Sequence, residues 1–279
     1  MISRERLGSE AELVADGALK YIAFDCLERF GGDLAHGMST RLGGVSTGEC
    51  GSLNLGYNRK DEKDNVTENY RRICTALGIE PESMVFSKQV HDSRLRIVTP
   101  EDRGKGFSRD NDITDTDGLL TVTPGITLVT FYADCVPVFL YDPARKAAAL
   151  VHSGWRSTLR NIAGKAAGRM ISGFGCSPGG IVAVLGPSIG SCCFEVGEDV
   201  YRLFAEEFGG GEFYAPAGPG KWKIDLRAII TDELRREGLE AINIHNSGIC
   251  TVCRRDLFFS HRGDRGATGS LAAFMQIRS

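Results

Sequence analysis

Apolar residues recur at helical spacing in four stretches of the chain. Val66, Tyr70, Ile73 and Leu77 share one face, Asn65 and Glu68 have the spacing of a capping box, and Gly78 suits the position after the last turn. Over Thr158–Phe174 the residues Leu159, Ile162, Ala163, Ala166, Met170 and Ile171 form a stripe that Arg160, Lys165 and Arg169 avoid. A third helix is expected from Gly197 to Phe208, before Gly209. A fourth starts at Asp225, carries Leu226, Ile229, Ile230 and Leu234 inward, and stops at Gly238. Short β-branched or aromatic runs bounded by Gly, Pro or Asp predict strands at Met84–Val90, Leu95–Val98, Gly118–Val122, Ile126–Ala133 and Val136–Tyr141. Further strands are predicted at Ala147–His152, Ile181–Leu185, Ile242–His245, Leu257–Ser260 and Ala272–Ile277, with Gly209–Gly220 a surface loop. Many connections are too short for a parallel crossover. The pattern therefore predicts an α+β fold (an α/β sandwich) of mixed, mainly antiparallel sheets flanked by helices. Residues 1–33 carry little signal beyond a strand near Tyr21–Phe24 and read as an N-terminal extension or edge strand, leaving 34–279 as one domain.

Composition narrows the class. The chain has 279 residues, 42% of them apolar and 25% charged, which suits a globular protein with a full core. A net charge of −3 provides no basic field for nucleic acid or an anionic membrane surface. Apolar runs fall far short of the ~18 residues of a membrane helix, and the charged start MISRERLGSE has no signal-peptide core. Nine cysteines, an odd number scattered along the chain, fit reduced thiols in the cytoplasm.

Candidate chemistry concentrates in TFYADCVPVFLYDPARKAAALVHSGWRST, residues 130–158. If Asp142–Arg145 is a turn and Tyr141 pairs with Lys146, opposed residues sum to 287, and Cys135 faces His152. A thiolate and an imidazole so placed can share a zinc ion. His91 ends a strand, 44 positions before Cys135, which suits a site gathered from different strand ends. Three ligands leave a fourth position for water or substrate. The same residues also fit a buried thiol beside two hydrogen-bonded histidines, or a metal-free dyad with Cys135 as nucleophile and His152 as base. His91 discriminates: a shared ion requires all three donors within about 4 Å of one another, whereas a dyad leaves His91 elsewhere. Arg41, beside Gly43-Gly44, reads as a phosphate clamp or a solvated turn, and His36 and Asn54 as substrate-orienting or backbone-satisfying groups. Asp134 reads as structural or as a partner of a ligating histidine, and Trp155 as core or as a wall for a base. The aspartates 110, 112, 115 and 117 read as a solvated acidic loop. Cys250-x-x-Cys253 stands without a second such pair, and Cys192-Cys193 has no support as a ligand pair.

HGMSTRLGGVS (36–46), SLNLG (52–56), QVH (89–91), TDG (116–118), ADCVP (133–137), HSGWRST (152–158) and GPSIGSCCFEVG (186–197) together resemble the YfiH family. Members are also called laccase-domain or multicopper polyphenol oxidase-like proteins and purine nucleoside phosphorylases. ICTVC (249–253) and FFSHR (258–262) extend the resemblance, which covers roughly residues 34–278. It implies a sandwich of mixed sheets and helices, and zinc on His91, Cys135 and His152. It also implies phosphorolysis of purine nucleosides and, in some members, adenosine deamination. The family often has Thr-Gly-Arg near its C-terminus, where this chain has Gly269-Ser270.

The expectation is thus a cytoplasmic zinc enzyme taking a purine nucleoside and phosphate, with Arg41 on the phosphate and copper only as an adventitious occupant. Three rivals stand beside it: a laccase-type copper oxidase, a Cys–His hydrolase that edits a cell-wall nucleotide precursor, and a non-enzymatic metal-binding module. Five histidines, with no His-x-His pair, cannot furnish a blue-copper centre together with a trinuclear copper cluster.

Overall fold

Strands buried on both faces need cover on both sides, and this requirement organises the fold. The computed structural model describes residues 2–8, 10–209 and 211–278. Its first sheet has seven strands: β1 (Ile2–Arg6), β2 (Ala11–Asp16), β3 (Leu19–Phe24), β4 (Leu34–Ser39), β5 (Met84–Phe86), β8 (Thr127–Tyr132) and β16 (Leu271–Ile277). They lie in the order β1-β2-β3-β4-β16-β8-β5, antiparallel except for β5 with β8. The second sheet has six strands: β6 (Leu95–Ile97), β7 (Gly118–Thr121), β9 (Val136–Asp142), β10 (Ala147–Ser153), β11 (Val182–Leu185) and β15 (Ile244–Asn246). Their order is β15-β11-β9-β10-β7-β6, with parallel pairs only at the two edges.

The two sheets stack face to face. Between them lie Phe24, Met38, Leu128 and Met275 from the first sheet and Phe139, Tyr141 and Leu150 from the second. Alternation sends the neighbours Val138, Leu140 and Ala149 to the outer face, against α4 (Ile162–Phe174) and α6 (Leu226–Arg236). The outer face of the first sheet packs its Val129 and Phe274 on Val66, Tyr70, Ile73 and Leu77 of α2 (Lys63–Leu77). Each such aliphatic or aromatic side chain gains about 1.5–3 kcal/mol from burial. A small third sheet, β12 (Glu195–Gly197), β14 (Lys221–Ile224) and β13 (Tyr214–Gly218), sits beside α5 (Glu198–Phe208). The fold is the expected α+β sandwich of mixed, mainly antiparallel sheets with flanking helices.

Local departures have local causes. α2 begins at Lys63, so Asn65 lies in its first turn and bonds Asp61 instead of forming a capping box. The helix expected over Thr158–Phe174 is split: α3 (Trp155–Leu159) ends, and Asn161 takes left-handed backbone at φ +53° and caps α4 through the N–H of Gly164. Leu257–Ser260, expected as a strand, follows a run of turns and joins no sheet among the described residues, although the Leu257 carbonyl accepts the Arg41 N–H at 2.8 Å. The Gly- and Pro-rich stretch 209–220 contains β13. The first 33 residues supply three consecutive strands at one edge of the larger sheet, with Val14, Ile22 and Phe24 buried.

The β9–β10 register also differs. Asp142 pairs with Ala147, so opposed residues sum to 289 and His152 faces Pro137. The four-residue loop lies one position later because Asp142 accepts the N–H groups of Ala144 and Arg145, and Lys146 takes left-handed backbone at φ +46°. A shift of two leaves every side chain on its original face. Cys135 stays on the His152 side, just before β9 begins.

Candidate metal centre and active site

One donor atom from each of His91, Cys135 and His152 lies within 4.8 Å of the other two. Three elements bring them together. His152 is the penultimate residue of β10, Cys135 directly precedes β9, and His91 sits in the loop after β5. The two imidazoles meet edge to face, 4.9 Å between ring centres.

Asp117, directly before β7 and fully buried, holds this arrangement. Its carboxylate accepts the N–H groups of Val90 (3.1 Å), His91 (2.9 Å) and Asp92 (3.0 Å) and lies 2.9 Å from Nδ1 of His152. Burial alone would raise its pKa, but the bond and charge of His152 and the backbone N–H groups hold it below the ordinary range. His91 needs this support, because its φ of +60° is left-handed backbone without glycine. The bond at Nδ1 leaves Nε2 of His152 as the free donor. Asp117 was read as part of a solvated acidic loop. Its signal was the TDG motif, and the acidic run around it masked that signal.

Electrostatics favour the charged thiolate. Burial would raise the Cys135 thiol, but the charge of His152 and bonds from both histidines bring it down to about 6. His152 is driven up to about 9: burial would lower it, and the Cys135 thiolate and Asp117 carboxylate outweigh that. One thiolate and two imidazoles form a donor set suited to a first-row metal ion. The backbone leaves room for it: a Cβ on Gly154 would lie 3.0 Å from both Cys135 Sγ and His91 Cδ2.

The three donors sit in the wall of a cavity of about 1020 Å³. Apolar walls come from Phe86, Phe131, Trp155, Phe194 and Leu226. Trp155 thus contributes both to the outer core and to the cavity. Arg59, Lys88, Arg156 and Arg262 also line it, and no carboxylate pairs with any of them among the described residues. Arg59 is tied to Ser270 Oγ at 2.9 Å, and Arg262 to the carbonyl of Glu195 at 3.0 Å. Arg156 and Arg262 stand in the motifs HSGWRST and FFSHR, whereas nothing local distinguishes Arg59 and Lys88 from other surface cations.

The remaining candidates lie elsewhere. Arg41 does not line the cavity. Its Nε and Nη2 donate to the Gly51 carbonyl (3.2 and 3.1 Å), its Nη1 to that of Arg255 (3.2 Å), and its guanidinium covers the Phe259 ring. His36 is buried; its Nε2 accepts the Phe24 N–H at 3.0 Å, and burial pushes its pKa down to about 3. Asn54 supports the wall from behind: its Oδ1 accepts the N–H groups of Gly56 (3.0 Å) and Ser270 (2.9 Å), two residues that line the cavity. Ser270 therefore serves as the anchor of Arg59. Asp134 touches no histidine and instead accepts from Thr251 Oγ1 (2.6 Å), Ser260 Oγ (2.7 Å) and the Arg262 N–H (2.7 Å). It pins the C-terminal loop against the turn that presents Cys135.

A family described as multi-copper polyphenol oxidoreductase laccase matches residues 35–278. The chain belongs to this family. It is 35% identical over 254 residues to a protein of Geobacillus stearothermophilus named purine nucleoside phosphorylase YlmD, covering 89% of this chain and 92% of that one. It is 33% identical over 244 residues to the Bacillus subtilis protein of the same name, covering 87% and 88%. The crystal structure of YlmD from Geobacillus stearothermophilus superposes with a TM-score of 0.89 at 30% identity, covering 99% of this chain and all of that one. No helix among the described residues is long and apolar enough to cross a membrane.

Proposed function

We propose that this laccase-family chain is a purine nucleoside phosphorylase that binds zinc at His91, Cys135 and His152. One observation carries the reading: three convergent metal donors open into a cavity that also presents four cations without carboxylate partners. The names of the relatives agree with it. The arrival of His91 beside Cys135 favours a metal site over a Cys–His dyad, which would not need it. Of the five histidines, His91 and His152 alone share a cluster with a cysteine among the described residues, and that donor count disfavours a multicopper oxidase.

In phosphorolysis an oxygen of phosphate bonds to C1′ of the ribose. The C1′–N bond breaks, and its electron pair leaves with the purine, which takes up a proton. Arg59, Lys88 and Arg262 bind and orient the phosphate anion, the task first assigned to Arg41. Phe131, Trp155 and Phe194 offer apolar faces to the base. Asp117 fixes the tautomer and orientation of His152. When bound, zinc supplies Lewis acidity and a water of lowered pKa. Adenosine deamination would draw on the same water without needing the phosphate cations. We place the protein in the cytoplasm, where a reducing environment keeps the nine cysteines out of disulfides, in line with their separation into unbridged thiols here.

The test is direct. Zinc-loaded protein is incubated with inosine or adenosine, with and without inorganic phosphate, and products are separated by chromatography. Free purine and ribose 1-phosphate should form only when phosphate is present. Absence of phosphate-dependent base release from either nucleoside overturns the reading.

A further inference from the structure

A second group of sulfur atoms meets outside the cavity. Cys192, Cys193, Cys250 and Cys253 each place Sγ within 4.8 Å of the other three. The pairs 192–253 and 193–253 are separated by 3.7 and 3.6 Å. Four thiolates around one zinc, with ~2.3 Å bonds at tetrahedral angles, lie about 3.8 Å apart. We propose that these four cysteines form a closed, structural zinc site, distinct from the His91–Cys135–His152 centre.

The backbone explains how adjacent cysteines converge. The N–H groups of Cys193 and Phe194 both bond the Gly190 carbonyl at 2.9 Å, so this segment is a tight turn. In a turn, consecutive side chains do not point to opposite faces as they do in a strand. In the second segment the Arg254 N–H bonds the Cys250 carbonyl at 3.0 Å, closing a helix-like turn that puts Cys250 and Cys253 on one side. Cys250 Sγ accepts the Gly190 N–H at 3.3 Å, which ties the second segment to the first turn.

Charge and space agree. Four thiolates on one Zn2+ leave two negative charges, after four protons pass to solvent. Three cations hold the carbonyls of the same turns: Lys223 Nζ on Cys192 (3.0 Å), Arg262 on Cys193 (3.4 Å) and the buried Arg227 on Ile249 (3.1 Å). Gly190 is the crossing point, since a Cβ there would lie 3.0 Å from Arg227 Nη2 and 3.2 Å from Cys192 Sγ. The ion would staple two loops. One continues into Phe194 and Glu195, the other into His261 and Arg262, and all four residues line the cavity.

The test separates the two sites. Protein purified under reducing conditions and equilibrated with zinc is analysed by native mass spectrometry. Cys135→Ser should retain one zinc. The double variant Cys192→Ser/Cys253→Ser should lose that zinc whether or not the His91 centre is loaded. A second measurement needs no variant: Cys192 and Cys253, both exposed, should resist alkylation in the zinc-loaded protein and react after chelation. Cobalt added to Cys135→Ser should give the intense near-ultraviolet charge-transfer bands of several thiolates on one ion. The proposal is overturned if zinc-equilibrated Cys135→Ser carries none, if zinc leaves alkylation unchanged, or if the four thiols are joined as disulfides under reducing conditions.

Discussion

Replacing Asp117 by Asn tests the support of the metal centre with almost no change in volume. The carboxylate faces three backbone N–H groups and Nδ1 of His152. The Asn oxygen can serve one side, but its NH2 must face the other. If NH2 meets Val90 and Asp92, two donors confront two donors. If it meets His91 and His152, the imidazole must accept at Nδ1, which moves its proton to Nε2 and removes the donor electron pair. Two charge-assisted bonds are lost either way, at about 1.5–3 kcal/mol each before relaxation. Part of that loss appears as reduced stability. The rest appears as weaker zinc binding, about 10–100-fold for a group that orients a ligating histidine. The assay is competition between protein and a chromophoric zinc chelator, with circular dichroism confirming the fold. A folded Asp117→Asn protein that binds zinc within about threefold of wild type would refute the reasoning.

Two further outcomes are expected. Arg59→Ala should raise the KM for phosphate by roughly 10–100-fold, the loss of one charged fork, whereas Arg41→Ala should leave that KM unchanged and cost about 1.5–3 kcal/mol of stability in urea unfolding; the opposite pattern would return the phosphate to Arg41. Glu233 is buried, with neither carboxylate oxygen hydrogen-bonded among the described residues, and burial pushes its pKa up to about 9 against partial opposition from Arg236. Asp232 and Glu207 add to the rise and Lys165 opposes it. The folded state therefore holds this proton more tightly than the unfolded chain. Its stabilisation is complete below the unfolded pKa, near 4.5, and is lost as pH rises toward 9, by up to about 1.4 kcal/mol per pH unit. Glu233→Gln should flatten that decline and raise the melting temperature at pH 8; a Gln variant that melts lower at pH 8 and retains the slope contradicts it.

Features governed by local periodicity were legible along the chain. The apolar stripes of α2 and α6 need only a 3.6-residue repeat, and the short β-branched or aromatic runs of β9 and β10, bounded by turn residues, announce strands. Cys135 and His152 were associated through a register wrong by two, and the association survived because side chains alternate with period two. The motifs QVH, ADC and HSGW also carried the ligand set, through resemblance. Partnerships across the fold were decided by tertiary structure. Arg41 beside two glycines looks the same whether it faces phosphate or two carbonyls, and only folding brings Arg255 and Phe259 to it. Asp117 looks like its acidic neighbours until β7 carries it beneath His91 and His152. Cys193 and Cys250 are 57 positions apart; Cys250-x-x-Cys253 has the spacing of a metal pair, but the adjacent Cys192 and Cys193 do not, so no second such pair marks a four-cysteine site. Side-chain type and local period are properties of the chain, whereas convergence depends on how strands and turns distant in sequence are stacked, and no local pattern encodes that distance.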